Sequence, residues 1–174
     1  ANGKIYAQLK SVPRWYGPLT PALFLASALA GGALLAGAMD AAVWLLLALG
    51  ALQIAAWLRG DAALAASGTT METATGLGFL GKVRLLEPPH TGSNYLLKEM
   101  AFRVGRKHRA KLRVIGFALA VALPLLLAVA TEPHHLLGAV IVLSHIAGML
   151  VLRWLFYAEA EHVVGLYYGI GAEA

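Results

Sequence analysis

Four long apolar runs, with charge confined to their ends, set the architecture of this chain. The first extends from Leu19 to Met39 without a charged residue, and Asp40 marks a tight turn. The second extends from Ala41 to Leu58 and closes on Arg59-Gly60-Asp61. A polar connector, 60–113, leads to a third run from Val114 to Ala130, closed by Thr131-Glu132-Pro133. The fourth, Leu136 to Tyr157, carries a tail expected to stay helical to Gly169. Each run is near the roughly 17–25 residues that cross a hydrocarbon core, where helices satisfy their own backbone hydrogen bonds. The pattern predicts an all-α, polytopic integral membrane bundle of four transmembrane helices, forming a single membrane domain over 1–174.

Finer features sit on that frame. Ser27-x-x-x-Gly31, Ala28-x-x-x-Gly32 and Ala33-x-x-x-Gly37 place small residues four apart on the first span, a pattern that lets helix backbones approach in lipid. Pro124 removes a backbone donor from the third span and predicts a kink. Late in the connector, Leu96, Leu97, Met100, Ala101 and Val104 recur at helical spacing among lysines and arginines. This predicts a basic amphipathic helix over Tyr95–Arg113, lying at the membrane surface and feeding the third span. At the start, Val12-Pro13-Arg14-Trp15 and Pro18-Leu19-Thr20-Pro21 read as a proline-broken connector between an earlier helix and a new one. The chain is expected to be the C-terminal piece of a longer protein.

Composition strengthens the membrane reading. Hydrophobic residues make up 59% of the 174, with a mean hydropathy of +0.69, against about 45–50% apolar in ordinary domains. The absence of cysteine removes disulfides, thiolate zinc sites and cysteine-ligated iron–sulfur clusters from this chain. All 14 Lys and Arg map to one side of the four-span topology, with Asp40, Glu132, His134 and His135 on the other. That bias predicts a cytoplasmic connector. It also accounts for the net charge of +5 without nucleic acid.

The candidate chemistry is concentrated where the fourth span meets water. Ionisable groups at membrane depth cost about 2.5–3.5 kcal/mol on insertion scales, so they are paired, anchoring or functional. Arg153, Tyr157 and Glu161 are four apart and share a face of the expected helix, whereas Glu159 and His162 fall on another. Tyr157 and Glu161 are therefore the expected partners of Arg153, and Glu159 a poor one. Two readings stay open: interface anchoring by Arg153, Trp154 and Tyr157, or a polar cluster that exchanges protons with a quinol or docks a redox partner. His145, beside Ser144 in mid-span, suits an interhelical hydrogen bond, a haem or a quinone contact. A b-type haem needs a second axial histidine at similar depth, which the other three spans lack. No metal site, phosphate loop or nucleophile triad is expected; Gly76-x-Gly78-x-x-Gly81 follows no strand.

Three strings, KIYAQLKSVPRWYGPLTP, LLEPPHTGSNYLLKEMAFRVGRKHRAKLR and RWLFYAEAEHVVGLYYG, resemble the membrane-anchor subunit of dimethyl sulfoxide reductase, in that family's order and along nearly the whole chain. The resemblance implies the C-terminal half of an eight-helix anchor in a bacterial inner membrane. It implies that the anchor oxidises menaquinol and passes electrons to an iron–sulfur subunit, which feeds a molybdopterin catalytic subunit, with no metal or haem in this chain. The missing N-terminal half of the protein and membrane lipid are further implied partners. The matching positions are Arg153, Phe156, Tyr157 and His162 on the fourth span and its tail, and Tyr6, Pro13 and Trp15 in the entry string. Lys4 stands where the family commonly has arginine, and the family's best-known quinol-site histidine belongs to the helices that precede this chain. Half of a transporter, or a purely structural anchor, are the alternatives from other classes.

Overall fold

In a computed structural model, which describes residues 2–84, 86–87, 103–130 and 134–168, the chain is all-helical among the described residues. Helix α1 (Asn2–Ala7) leads through a bent connector to α2 (Leu19–Leu35) and α3 (Met39–Ala66). A short α4 (Met71–Thr75) and a 3-10 turn (Gly78–Leu80) follow, then α5 (Arg103–Lys107). Helix α6 (Arg109–Ala130) and α7 (His135–Ala158) complete the bundle, and a 3-10 segment (Val163–Tyr168) trails it. Helices α3, α6 and α7 are each long and apolar enough to cross a membrane, and α2 is a shorter apolar helix of 17 residues. The chain is a membrane protein built as a helical bundle.

Helix boundaries differ from the sequence expectation for identifiable reasons. Helix α2 stops at Leu35, not Met39, because Gly37 adopts a left-handed conformation (φ 70°). The Gly37 N–H then bonds to the Leu34 carbonyl (3.2 Å) and the Ala38 N–H to that of Ala33 (3.0 Å), a Schellman closure. Asp40 consequently lies inside the first turn of α3, where the helix dipole favours a carboxylate. Helix α3 runs through Arg59-Gly60-Asp61 to Ala66 rather than ending at Leu58. The alanine-rich sequence beyond Asp61 sustains it, and the Arg14 side chain of the entry connector lies over Gly60. A Cβ there would lie 2.6 Å from Nη1 of Arg14. Of the expected amphipathic helix over Tyr95–Arg113, residues 95–102 lie outside the described residues; the remainder is α5 and the first turn of α6.

The core is made of small and branched residues. Ala30, Ala42, Leu46, Leu49, Ala120 and Ile141 are fully buried. The buried face of α2 is Ala26, Ala30 and Leu34, and Gly32 has nothing within 4 Å of its would-be Cβ. Close helix crossings instead involve other glycines. A Cβ on Gly148 of α7 would collide with the Ala120 backbone of α6, and one on Gly50 of α3 would lie 3.2 Å from Val121.

Pro124 does more than kink α6. Residues Ala118–Ala122 form a π-type turn in which the Leu123 N–H bonds to the Ala118 carbonyl, and Pro124 has no N–H to offer Ala120. The carbonyls of Leu119 and Ala120 thereby lose their usual intrahelical donors. Ser144 Oγ donates to the first (2.8 Å), and His145 Nδ1 lies 2.6 Å from the second. A backbone irregularity on one span is thus completed by two adjacent side chains on another.

Candidate functional site

The expected helical tail after Tyr157 is absent. Helix α7 ends at Ala158, and the chain turns at Glu159. Arg106 from α5 holds this end by donating from Nη2 to the Ala160 carbonyl (2.8 Å) and from Nε to that of Ala158 (3.3 Å). Its guanidinium satisfies carbonyls that a helix C-terminus leaves without donors. The Val163 N–H bonds to the Ser11 carbonyl (2.9 Å), laying the trailing segment along the entry connector. Glu161 therefore does not share a helix face with Arg153, because the helix has ended three residues before it.

Around this end, five aromatic rings from three parts of the chain converge. Trp15 stacks on Phe156 with centroids 5.1 Å apart and planes at 12°. Tyr6 of α1 meets Trp15 and Phe156 edge-on at 5.0 and 5.3 Å. Phe24 of α2 meets Phe156 at 5.6 Å. The hydroxyls of Tyr6 and Tyr157 are 3.0 Å apart. Trp15 Nε1 donates to the Phe156 carbonyl (3.0 Å), and Thr20 Oγ1 donates to the Trp15 carbonyl (2.8 Å). Edge-to-face and offset stacking at these separations is the favoured geometry, worth about 0.5–1.5 kcal/mol per pair beyond burial.

Arg153 belongs to this cluster together with Tyr157, one of its two anticipated partners, but without Glu161. Its guanidinium carbon lies 3.8 Å from the centroid of the Phe24 ring and 5.6 Å from that of Phe156. Among the described residues it makes no ion pair and no hydrogen bond. An aromatic face takes the place of the expected Glu161 carboxylate, since the end of α7 carries Glu161 away and Glu159 is already engaged.

Glu159 is the acid that matters structurally. It is 5% exposed and accepts from Arg113 at both oxygens, from Nε at 2.6 Å and Nη2 at 2.9 Å. Arg14 Nη1 adds a third bond at 3.2 Å. Asp61 accepts from the same two arginines: from Arg113 Nη1 and Nη2 at 2.7 Å each, and from Arg14 Nη2 at 2.6 Å. Two cations and two anions, from the entry connector, α3, α6 and the end of α7, close one ring of salt bridges. Gly17, at φ 119°, is needed beside it: a Cβ would collide with the guanidinium of Arg59, which donates to the Tyr16 carbonyl (3.0 Å).

Between α2, α3 and α7, beneath this ring, lies a cleft of about 60 Å³ lined in part by Thr20, Ser27, Gln53, Met149, Arg153 and Phe156. Thr20 and Ser27 direct their hydroxyl protons to the Trp15 and Leu23 carbonyls. Gln53, 8% exposed, has no hydrogen-bond partner among the described residues.

The residues singled out from sequence thus divide. Tyr6, Trp15, Arg153, Phe156 and Tyr157 assemble into one cluster, with Pro13 half-buried in the connector beside them. His145 is 4% exposed in mid-bundle, bound to Ala120. His162 is exposed and accepts from the Val164 N–H at Nδ1 (3.0 Å), a turn contact. Phe24 and Gln53 give no sequence signal. Arg14, Asp61, Arg113 and Glu159 do: two basic and two acidic residues each stand just outside an apolar run, at the same end of the bundle.

Comparison with known proteins adds one relative. The chain is 29% identical over 181 aligned residues to the C subunit of the sulfite dehydrogenase of Allochromatium vinosum. The alignment takes in 94% of this chain and 54% of the relative, so the chain spans about half the length of the protein it matches. No family model matches the chain, and no solved structure does.

Proposed function

We propose that this chain is half of the membrane anchor of a molybdopterin oxidoreductase complex of the dimethyl sulfoxide reductase type, exchanging electrons between lipid quinol and an iron–sulfur partner subunit. The observation that carries the reading is the convergence of Tyr6, Trp15, Arg153, Phe156 and Tyr157. These residues lie in two groups about 150 positions apart in sequence, and of them Tyr6, Trp15 and Phe156 are picked out by the resemblance alone. The relative is named as part of an oxidoreductase, which supports the same class.

The direction of electron flow has two candidates. The resemblance implies menaquinol oxidation: the quinol loses two electrons to a cluster in the partner and two protons to groups near the membrane face. A dehydrogenase, by the relative's name, withdraws electrons from its substrate, which favours flow in the opposite direction. We adopt quinol oxidation as the primary reading. The transporter alternative loses ground, because the irregular turn of α6 has its freed carbonyls occupied by Ser144 and His145 rather than open to an ion.

The charge bias supports a cytoplasmic position, in a bacterial inner membrane, for the ring of salt bridges and the connector. The deciding experiment uses the full-length protein with its partner subunits in liposomes. Reduced menaquinone analogue is expected to be oxidised only when this chain is present. A complex that turns over its soluble substrate but never exchanges electrons with quinol would leave a structural anchor as the answer. For orientation, a cysteine at Ser93 should be shielded from an impermeant thiol reagent in intact cells; ready labelling reverses the topology.

A further inference from the structure

We infer that the cleft between α2, α3 and α7 binds a hydroquinone hydroxyl, held by the Gln53 carboxamide and the Arg153 guanidinium. This rests on the quinol reading above and gives it a specific site.

Gln53 is the starting point. Gln53 is 8% exposed as a residue in an apolar bundle, and its carboxamide carries two donors and an acceptor. Here it lines a cleft and has no protein partner among the described residues. Gln53 lies eight residues before Asp61 on α3, and Arg153 six before Glu159 on α7. At 1.5 Å per residue these place the two groups roughly 12 and 9 Å below the salt-bridge ring, at similar depth. Arg153 rests on Phe24 by its face, and its N–H groups make no hydrogen bond among the described residues.

The chemistry of the pair selects the ligand. Arg153 only donates, whereas Gln53 both donates and accepts. A phosphate, which accepts only, leaves the Gln53 carbonyl unused. A phenolic hydroxyl accepts from Arg153 or the Gln53 NH₂ and donates to the Gln53 oxygen. The aromatic walls, Phe156 and Trp57, suit a flat ring. A space of about 60 Å³ takes the oxygen-bearing edge and not a whole bicyclic ring. The remainder of the ring enters by displacing Met149, whose unbranched side chain is the adaptable part of the wall.

The test uses the full-length protein with its partner subunits in nanodiscs and a fluorescent alkyl hydroxyquinoline N-oxide as the quinol mimic. Gln53→Leu is expected to weaken probe binding about tenfold and to raise the KM for menaquinol, with the partners still co-purifying. Arg153→Lys, which keeps the charge but not the planar fork, should weaken it several-fold. Wild-type-like affinity in both variants overturns the site while leaving quinol oxidation intact. Probe binding competed away by added inorganic phosphate or short-chain phosphatidic acid identifies a phosphate group as the occupant and also overturns it. Failure of the wild-type complex to bind the probe or oxidise quinol removes the parent reading itself.

Discussion

Two regions of the bundle keep polar side chains from water by opposite means. In mid-span, Ser144 and His145 are neutral-capable groups that bond to backbone carbonyls released by a π-type turn and Pro124. At the bundle end, Arg14, Asp61, Arg113 and Glu159 are charges that pair with one another, side chain to side chain. The first arrangement ties two helices together and needs a defect in one of them. The second ties four parts of the chain together and needs charge balance. Depth decides which is tolerated: full charges are accepted near the interface and penalised at the centre.

The end network should be the more fragile of the two to single substitutions. Glu159→Leu leaves Arg113 and Arg14 sharing only Asp61, whose side chain is 38% exposed. Removing one partner of a buried pair costs about 3–5 kcal/mol, because the remaining charges are stranded. Asp61→Asn should cost less, since water can replace it. The check is unfolding in detergent of both variants; equal losses would show that burial does not rank the two acids. Arg113→Met together with Glu159→Leu should recover part of the loss, as removal of both partners often does.

The mid-span arrangement is sharpened by a double-mutant cycle. His145→Leu leaves the Ala120 carbonyl without a donor, at a cost of about 1–3 kcal/mol. Pro124→Ala supplies a new N–H four residues after that carbonyl. In the Pro124→Ala background, therefore, His145→Leu should cost much less. Additive losses would mean that the histidine and the proline act independently.

How much of this can be read from the sequence follows from the period of each signal. Apolar runs tens of residues long announce spanning helices, and the all-helical bundle is legible from them. Their ends are not. Gly37 fits a small-residue packing stripe and a helix C′ position equally well, and only the Schellman bonds decide. The tail beyond Tyr157 has helical spacing, yet Arg106, about fifty residues away, caps the helix at Ala158. The resemblance picks Tyr6, Trp15, Arg153, Phe156 and Tyr157, which do meet. Spacing alone assigns Arg153 to Tyr157 and Glu161; tertiary geometry keeps Tyr157 nearby, removes Glu161 and adds Phe24. Gln53 looks like one polar residue in an apolar run, and its missing partner is visible only in three dimensions.

The smallest expected effects separate the glycines that matter at the helix crossings from the one that does not. Gly148→Ala places a methyl against the Ala120 backbone and must spread α6 from α7, disturbing the carbonyl that His145 reads. Gly32→Ala meets nothing within 4 Å. The sequence treats both as small residues on apolar helices, and the stripe Ala28-x-x-x-Gly32 even favours the second as a packing site. The structure reverses that order. Gly32→Ala should be neutral or stabilising by roughly 0.5–1 kcal/mol, because alanine loses less backbone freedom in a helix. Thermal unfolding of the full-length protein in detergent is the measurement. A clear loss in Gly32→Ala would mean that this face of α2 is covered in the assembled protein by something outside the described residues, and the stripe would regain its role as an interface.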